Sequence, residues 1–327
     1  MTANAIVQRL RGLATRARDF PSPRVQRLLL IIAVPALAVG GVASYRSLDL
    51  HLATVRWSSL AIVAVLGGPV AGIVSAWEYQ TSARINGHRL RLLAALRVTT
   101  IASVLNLLPG HGGALLRVQH LRRMGSRYSH AATVTLLLGF AWLGLAAVGA
   151  GALLLASTPG PAAISFLVLG AGALTLAGLL LRAVPGAAGA LTRWGGLVLL
   201  VESCSIVVAT ARLGFVLHAL QVPTGLSAPA VLALAGIIAS VSGVLRSGLG
   251  LRELLAGTFG PLVGLTVAVG FLASAVDRLA GLVGRIPLAL LLYHSAPEDE
   301  EPPGEPPGAP GAPETEGNGA AIIREPA

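Results

Sequence analysis

Asn106-Leu-Leu-Pro109-Gly110-His111-Gly112-Gly113-Ala-Leu-Leu-Arg117 closes an apolar run that starts near Val98, and Arg122, Arg123 and Arg127 follow directly. Pro109 has no backbone N–H to donate, and the glycines behind it weaken any helix that tries to continue. A helix broken inside an apolar stretch and then flanked by cations needs a special setting. Non-helical backbone is tolerated at membrane depth only where protein buries it or where it lines a wet cavity. The break therefore marks the place where a polar group could pass.

The rest of the chain supplies the membrane. Hydrophobic residues make up 54% of the 327 positions and charged residues only 12%, against about 25% charged in a soluble domain. Apolar runs of about 18 or more residues recur, each long enough for a hydrocarbon core about 30 Å thick. The 40 glycines suit close helix packing in lipid. The ten-residue alternation of a membrane β-barrel is absent. The expected fold is all-α, a polytopic helical membrane protein with about seven to eight spans and one or two broken or re-entrant helices.

Three regions follow from composition. Residues 1–27 are polar and basic, residues 28–293 form the membrane domain, and residues 294–327 are acidic and rich in Pro and Gly. Such a tail cannot bury a core and is expected to be disordered. It carries eight of the 14 acids, so the rest of the chain holds twenty-three arginines against six acids. On a membrane protein that excess sets orientation: the N-terminus is expected in the cytoplasm. The arginines lie between spans rather than on one soluble face, which argues against nucleic acid.

The same rule bears on the opening stretch. If Val98 to Leu116 crossed fully, the arginines after it would face outward. A re-entrant segment turning at Pro109-Gly110 keeps them beside Arg84, Arg89, Arg91 and Arg97 on the inner side. The remaining expected spans run over 28–45, 58–77, 131–156, 162–181, 195–219 and 229–245. After the last of these comes a second glycine-rich break, Ser247-Gly248-Leu-Gly250-Leu-Arg252-Glu253. The apolar stretch 261–293 reads as one long tilted helix or two short ones.

Chemistry is narrowed by what is missing. There is no lysine, which excludes a P-loop, a Schiff base and a Ser-Lys nucleophile. One cysteine excludes an internal disulfide and a Cys-based zinc site. No Gly-x-Ser-x-Gly or His-Glu-x-x-His occurs, and no acid cluster is placed to hold metals. Neither a cofactor nor enzymatic activity is expected. Charged residues inside spans are costly and face an interior or cavity. Arg117, Arg212, Arg252 and Arg278 outnumber Glu202, Glu253 and Asp277 there, and guanidinium matches phosphate oxygens bidentately. Glu202 and Arg212 are ten residues apart, too far to pair on one helix, so each is expected to meet another helix.

Asn106-Leu-Leu-Pro109-Gly110 with Gly113 and Arg117 resembles the Asn-x-x-Pro-Gly…Gly-Glu-x-x-Arg signature of the lysylphosphatidylglycerol synthase transmembrane region, or flippase-like domain. Gly248-Leu-Gly250-Leu-Arg252-Glu253 resembles its second signature, and Asp277-Arg278 falls where a polar-Arg pair often follows. Ala114 stands where the family often has Glu, Thr135-Leu136 where a Glu-Arg pair is common, and Val244, Arg246 and Ser247 replace a Pro-rich start. The resemblance implies a bacterial inner-membrane protein that moves a lipid with a charged head group, an anionic phospholipid or polyprenyl phosphate, between leaflets. It implies no aminoacyl-transferase activity here.

On this reading Arg117, Arg252, Arg278 and Asn106 hold the head group. Glu253, Asp277, Glu202 and Arg212 pair with and orient them. Pro109, Gly110, Gly112, Gly113, Gly248 and Gly250 break the helices. The alternative is a membrane glycosyl- or phosphotransferase, or its accessory subunit, acting on a lipid carrier.

Overall fold

The computed structural model describes residues 39–47, 53–105, 112–182, 190–242 and 250–294. Among these residues the fold is entirely helical. A short piece over 39–47 is α1. It is followed by α2 (Trp57–Ile85), α3 (Leu92–Leu105), α4 (Gly112–Arg123), α5 (Tyr128–Ser157), α6 (Pro161–Arg182), α7 (Ala190–Ala219), α8 (Ser227–Ser242), α9 (Leu251–Phe259) and α10 (Val267–His294). Five stretches are long and apolar enough to cross a membrane: Trp57–Ile85, Tyr128–Ser157, Pro161–Arg182, Trp194–Ala219 and Val267–Leu292. Their outward faces are apolar, with Val65, Val168, Leu200, Val207 and Val283 exposed. In water such a surface would drive association; against lipid tails it is at rest.

Several element boundaries depart from the sequence reading. Helix α2 does not stop at Trp77 but continues to Ile85, carrying Glu78 and Tyr79 into the bundle. Within it, Val63–Gly67 forms a π-helical turn just before Pro69. Proline removes one i→i−4 bond and its ring crowds the carbonyl four residues back, so a locally widened turn absorbs the misfit. Residues 261–293 do not form two short helices. A 3₁₀ turn at Gly260–Val263 leads through Gly264, which has φ 75°, into one helix, α10, with Pro287 inside it.

The first break reverses the chain. Helices α3 (14 residues) and α4 (12 residues) are about 21 and 18 Å long at 1.5 Å per residue, too short to cross. Entry and exit of the pair meet, since His88 Nε2 lies 2.8 Å from Ser126 Oγ. The segment thus returns to the end it left, which carries Arg84, Arg89, Arg91, Arg122, Arg123 and Arg127; this is the basic end. Gly112 and Gly113, expected within the break, are instead the opening residues of α4. Asn106, Pro109, Gly110 and His111 lie outside the described residues.

The second break does the same from the other end, which corrects the expectation of a full span over 229–245. The opposite end of the bundle is marked by the Arg56 amide, which donates to the Ala219 carbonyl at 3.0 Å and ties the start of α2 to the end of α7. Helix α8 leaves that end but has only 16 residues. Helix α9 runs back along it: Arg252 packs at Gly236, while Phe259 and Val263 join the cluster around Val231 and Leu234. Helix α10 then crosses toward the basic end, with Phe271 beside Gly40, Gly284 against α2 at Gly68, and Leu288 near Gly72. His294 therefore emerges at the basic end. A long helix, a two-helix hairpin and another long helix occur twice, as α2–α5 and α7–α10, with the hairpins entering from opposite ends.

Packing relies on missing side chains. Helices α5 and α6 touch through Gly144, Gly151 and Gly170. A Cβ on Gly170 would stand 2.6 Å from Val148 Cγ2 and 2.8 Å from the Gly144 carbonyl oxygen. Gly170→Val is expected to destabilise the protein by about 1–3 kcal/mol in thermal unfolding, whereas Gly172→Val, which points into open space, stays within about 0.5 kcal/mol.

Candidate anion and proton site

Charged residues collect along the inside of the bundle in two groups. The first stands where α4 lies against α2. Arg117 Nη1 is 3.2 Å from Glu78 Oε1, and both side chains are about a quarter exposed. Tyr79, buried beside them, donates its hydroxyl to the Arg117 carbonyl at 3.1 Å and meets His120 Nδ1 at 2.9 Å. These contacts hold α4 at one height on α2. A small cavity at this point is lined by Glu78, Tyr79, Ser82, Arg117, Thr135 and Leu138. Across from it, on α7, Glu202 is 1% exposed and feels the charges of Glu78 and Arg117. Tyr79→Phe removes the hydroxyl alone. It is expected to lower stability by about 1–2 kcal/mol and to loosen α4, read as faster hydrogen exchange of the α4 amides. Unchanged exchange there would rule out the anchoring role.

The second group surrounds Asp277 on α10. Arg252 Nη2 donates to Asp277 Oδ2 at 2.5 Å. Arg212 Nη2 reaches Asp277 Oδ1 at 2.8 Å and the Asp277 carbonyl at 2.9 Å. Asp277 is 2% exposed. Arg278 Nη1 donates to Glu253 Oε1 at 3.2 Å, and the other Glu253 oxygen accepts the Gly250 amide at 3.0 Å. Gly250 has φ 82°, a conformation that disfavours any Cβ, and it caps α9 so that Arg252 and Glu253 open the helix side by side. The Arg212 stem runs through a slot between Gly67 and Gly281, where any side chain would collide with it.

Arg285 links the two groups. Asp277, Gly281 and Arg285 follow at i, i+4 and i+8, one face of α10. Arg285 feels the charges of Arg212, Asp277, Arg252 and Arg117 together. The Nε donors of Arg212, Arg252 and Arg285 are all buried and have no acceptor. Ser274 Oγ, one turn before Asp277 and Arg278, is likewise buried without a partner. Unmet buried donors are rare in native structures and call for an explanation. The second group sums to four guanidiniums against two carboxylates, a surplus of two positive charges.

Of the residues singled out from sequence, the structure brings Arg212, Arg252 and Asp277 into one cluster, and Glu253 and Arg278 into the ion pair beside it. Arg117 stands with Glu202 in the first group. Arg212 meets Asp277 on α10, and Glu202 is buried on α7. Asn106, Arg246 and Gly248 fall outside the described residues. Sequence reasoning missed two members. Glu78 was left outside the expected span over 58–77 and so out of the head-group site. Arg285 was passed over although its i, i+4, i+8 spacing with Asp277 and Gly281 was visible. No family model matches this chain, and no curated protein matches it.

Proposed function

We propose that the protein is a membrane lipid translocase that carries an anionic or phosphate head group between leaflets along the charged ladder from Arg117 through Arg285 to Arg252. The observation that carries this reading is the set of three buried guanidinium Nε donors without acceptors, in a cluster with two surplus positive charges. A phosphate supplies several oxygens to such donors at once and brings negative charge to a place that lacks it. Lipid tails can stay in the bilayer while the head group travels inside the bundle.

In this reading the basic end, with Arg84, Arg89, Arg91, Arg122, Arg123 and Arg127, is cytoplasmic. The crossings are the five long helices and the first span, whose end is α1. The hairpins α3–α4 and α8–α9 dip in from opposite faces, which brings the count below the seven to eight expected. Hairpins opposed across a two-halved bundle fit the logic of transporters with inverted repeats, where a central site is opened to either side in turn. The likeness of the two glycine breaks to the flippase-like domain signatures supports the same function and a bacterial inner-membrane setting. Among the described residues no side chain is arranged as a nucleophile with its base, so the translocase is the reading the ladder supports.

The test is leaflet exchange. Purified protein is placed in liposomes with head-group-labelled phosphatidylglycerol or a labelled polyprenyl phosphate, and access of an external quencher is followed. Exchange by the wild type, reduced about tenfold or more in Arg252→Ala, is the expected result. Absence of exchange for both lipids with folded protein overturns the reading.

A further inference from the structure

The first charged group contains an imbalance opposite to the second. Glu78 and Glu202 share one cation, Arg117, and Glu202 is almost wholly removed from solvent. Of the neighbouring elements, α3 packs on α2 beside Tyr79 and carries one charged residue, the half-buried Arg97, which forms no ion pair with a described acid. On α2 the adjacent titratable residue is Tyr79, and on α4 it is His120, which Tyr79 holds. Helix α5 presents Thr135 and Leu138 to the cavity, and its own titratable residues, Tyr128 and His130, lie at its first turn. Helix α8 has no titratable side chain. Helix α10 contributes Arg285, which feels the charges of Arg212, Asp277, Arg252 and Arg117 and forms no ion pair with a described acid. Glu202 itself forms no ion pair with a described arginine, and the smallest cation that can neutralise a carboxylate buried in an apolar bundle is a proton.

We propose that Glu78, paired with Arg117, and the buried Glu202 form a proton-binding site that drives and times lipid transport. The inference rests on the translocase reading. With both carboxylates ionised, Arg117 is held by Glu78 in the field of Glu202. When one oxygen takes a proton, the trio becomes neutral and Arg117 is released to pair with an anionic head group. Departure of the proton recaptures Arg117 and expels the head group. Only an O–H bond forms and breaks, and the proton comes from and returns to water. The cavity at Ser82 and Thr135 gives water a polar surface beside Glu78. Coupling of this kind is reciprocal: if a proton favours the anion, the anion favours the proton.

Reciprocity supplies the experiment. Binding of a soluble short-chain phosphatidylglycerol to the purified full chain is measured by calorimetry in two buffers of different ionisation enthalpy, which counts protons taken up. In parallel, proteoliposomes holding a trapped pH-sensitive dye receive long-chain phosphatidylglycerol and then an imposed pH gradient. The wild type is expected to take up protons on binding and to move lipid in the direction the gradient sets. Glu202→Gln is expected to lose both the uptake and the gradient response, and Glu78→Gln serves as the second variant should the first fail to fold. Wild-type binding and exchange with no proton uptake and no response to the gradient overturn the proton site and leave the translocase standing. If the wild type neither binds nor exchanges lipid, the translocase reading falls. The site is then judged by infrared titration: a protonated-carboxyl band lost in Glu202→Gln keeps it, and identical spectra remove it.

Discussion

Asp277→Ala is expected to cost about 3–5 kcal/mol of stability, the largest loss from any single polar substitution in the bundle. Asp277 is 2% exposed and is the shared counter-ion of Arg212 and Arg252. Its removal strands two guanidiniums with no carboxylate partner, Arg212 keeping only the backbone carbonyl of residue 277 as acceptor. The loss comes from the uncompensated charges rather than from the worth of the ion pairs themselves. A second substitution separates the two. Arg212→Met in the same chain removes one stranded charge and fills the slot with an apolar stem of similar length, so the double variant should recover a large part of the loss. Thermal unfolding in detergent reads both. A single variant within about 0.5 kcal/mol of wild type would show that solvent reaches the cluster and that the counter-ion role is wrong.

Arg285→Met should do the reverse: transport falls about ten- to a hundredfold while the melting temperature holds or rises. No described acid forms an ion pair with Arg285, its Nε has no acceptor, and its charged neighbours are mostly other arginines. A buried cation in that position is a burden on the empty protein. Replacing it by an apolar side chain of similar size relieves the burden. If the arginine waits for a head group, the same change removes one charge-assisted contact to the lipid, and leaflet exchange slows. A packing clamp would behave differently, losing stability and keeping exchange. The pair of measurements therefore decides between a ligand contact and a structural one.

Much of the architecture was legible because the solvent is lipid. A run of apolar residues long enough to span has few alternatives to a helix, so α5, α6 and most of α7 could be placed within a few residues. The return of α3 and α4 to one end of the bundle was also legible, from charge rather than from the break itself: arginines on both sides of a stretch are best kept on one side of the membrane. The same argument was not available at the second break. Residues 229–245 are apolar throughout and are followed by a single arginine before the glycines, so nothing in the charge pattern distinguished a short helix that turns back from a span.

The candidate site divides in the same way. Arg117, Arg252, Glu253 and Asp277 announced themselves as charged residues at or near glycine breaks. Glu78 did not, because Trp77 resembles the aromatic edge of a span and hides the eight further residues by which α2 continues. Arg285 lacked any break beside it.

Residue chemistry and order were enough to determine that the chain forms apolar helices, that two of its helical runs are interrupted, and that arginine exceeds acid within them. These are local properties, set by hydropathy over a window, by proline's missing donor and by charge. Which arginine meets which acid was decided only in three dimensions. Arg212 is 65 residues from Asp277, and Arg117 is 39 from Glu78. Such pairings depend on how far each helix runs, where it turns back and which glycines let neighbours approach. The unmatched donors at Arg212, Arg252 and Arg285, and the burial of the Glu202 carboxylate, exist only once those helices are packed.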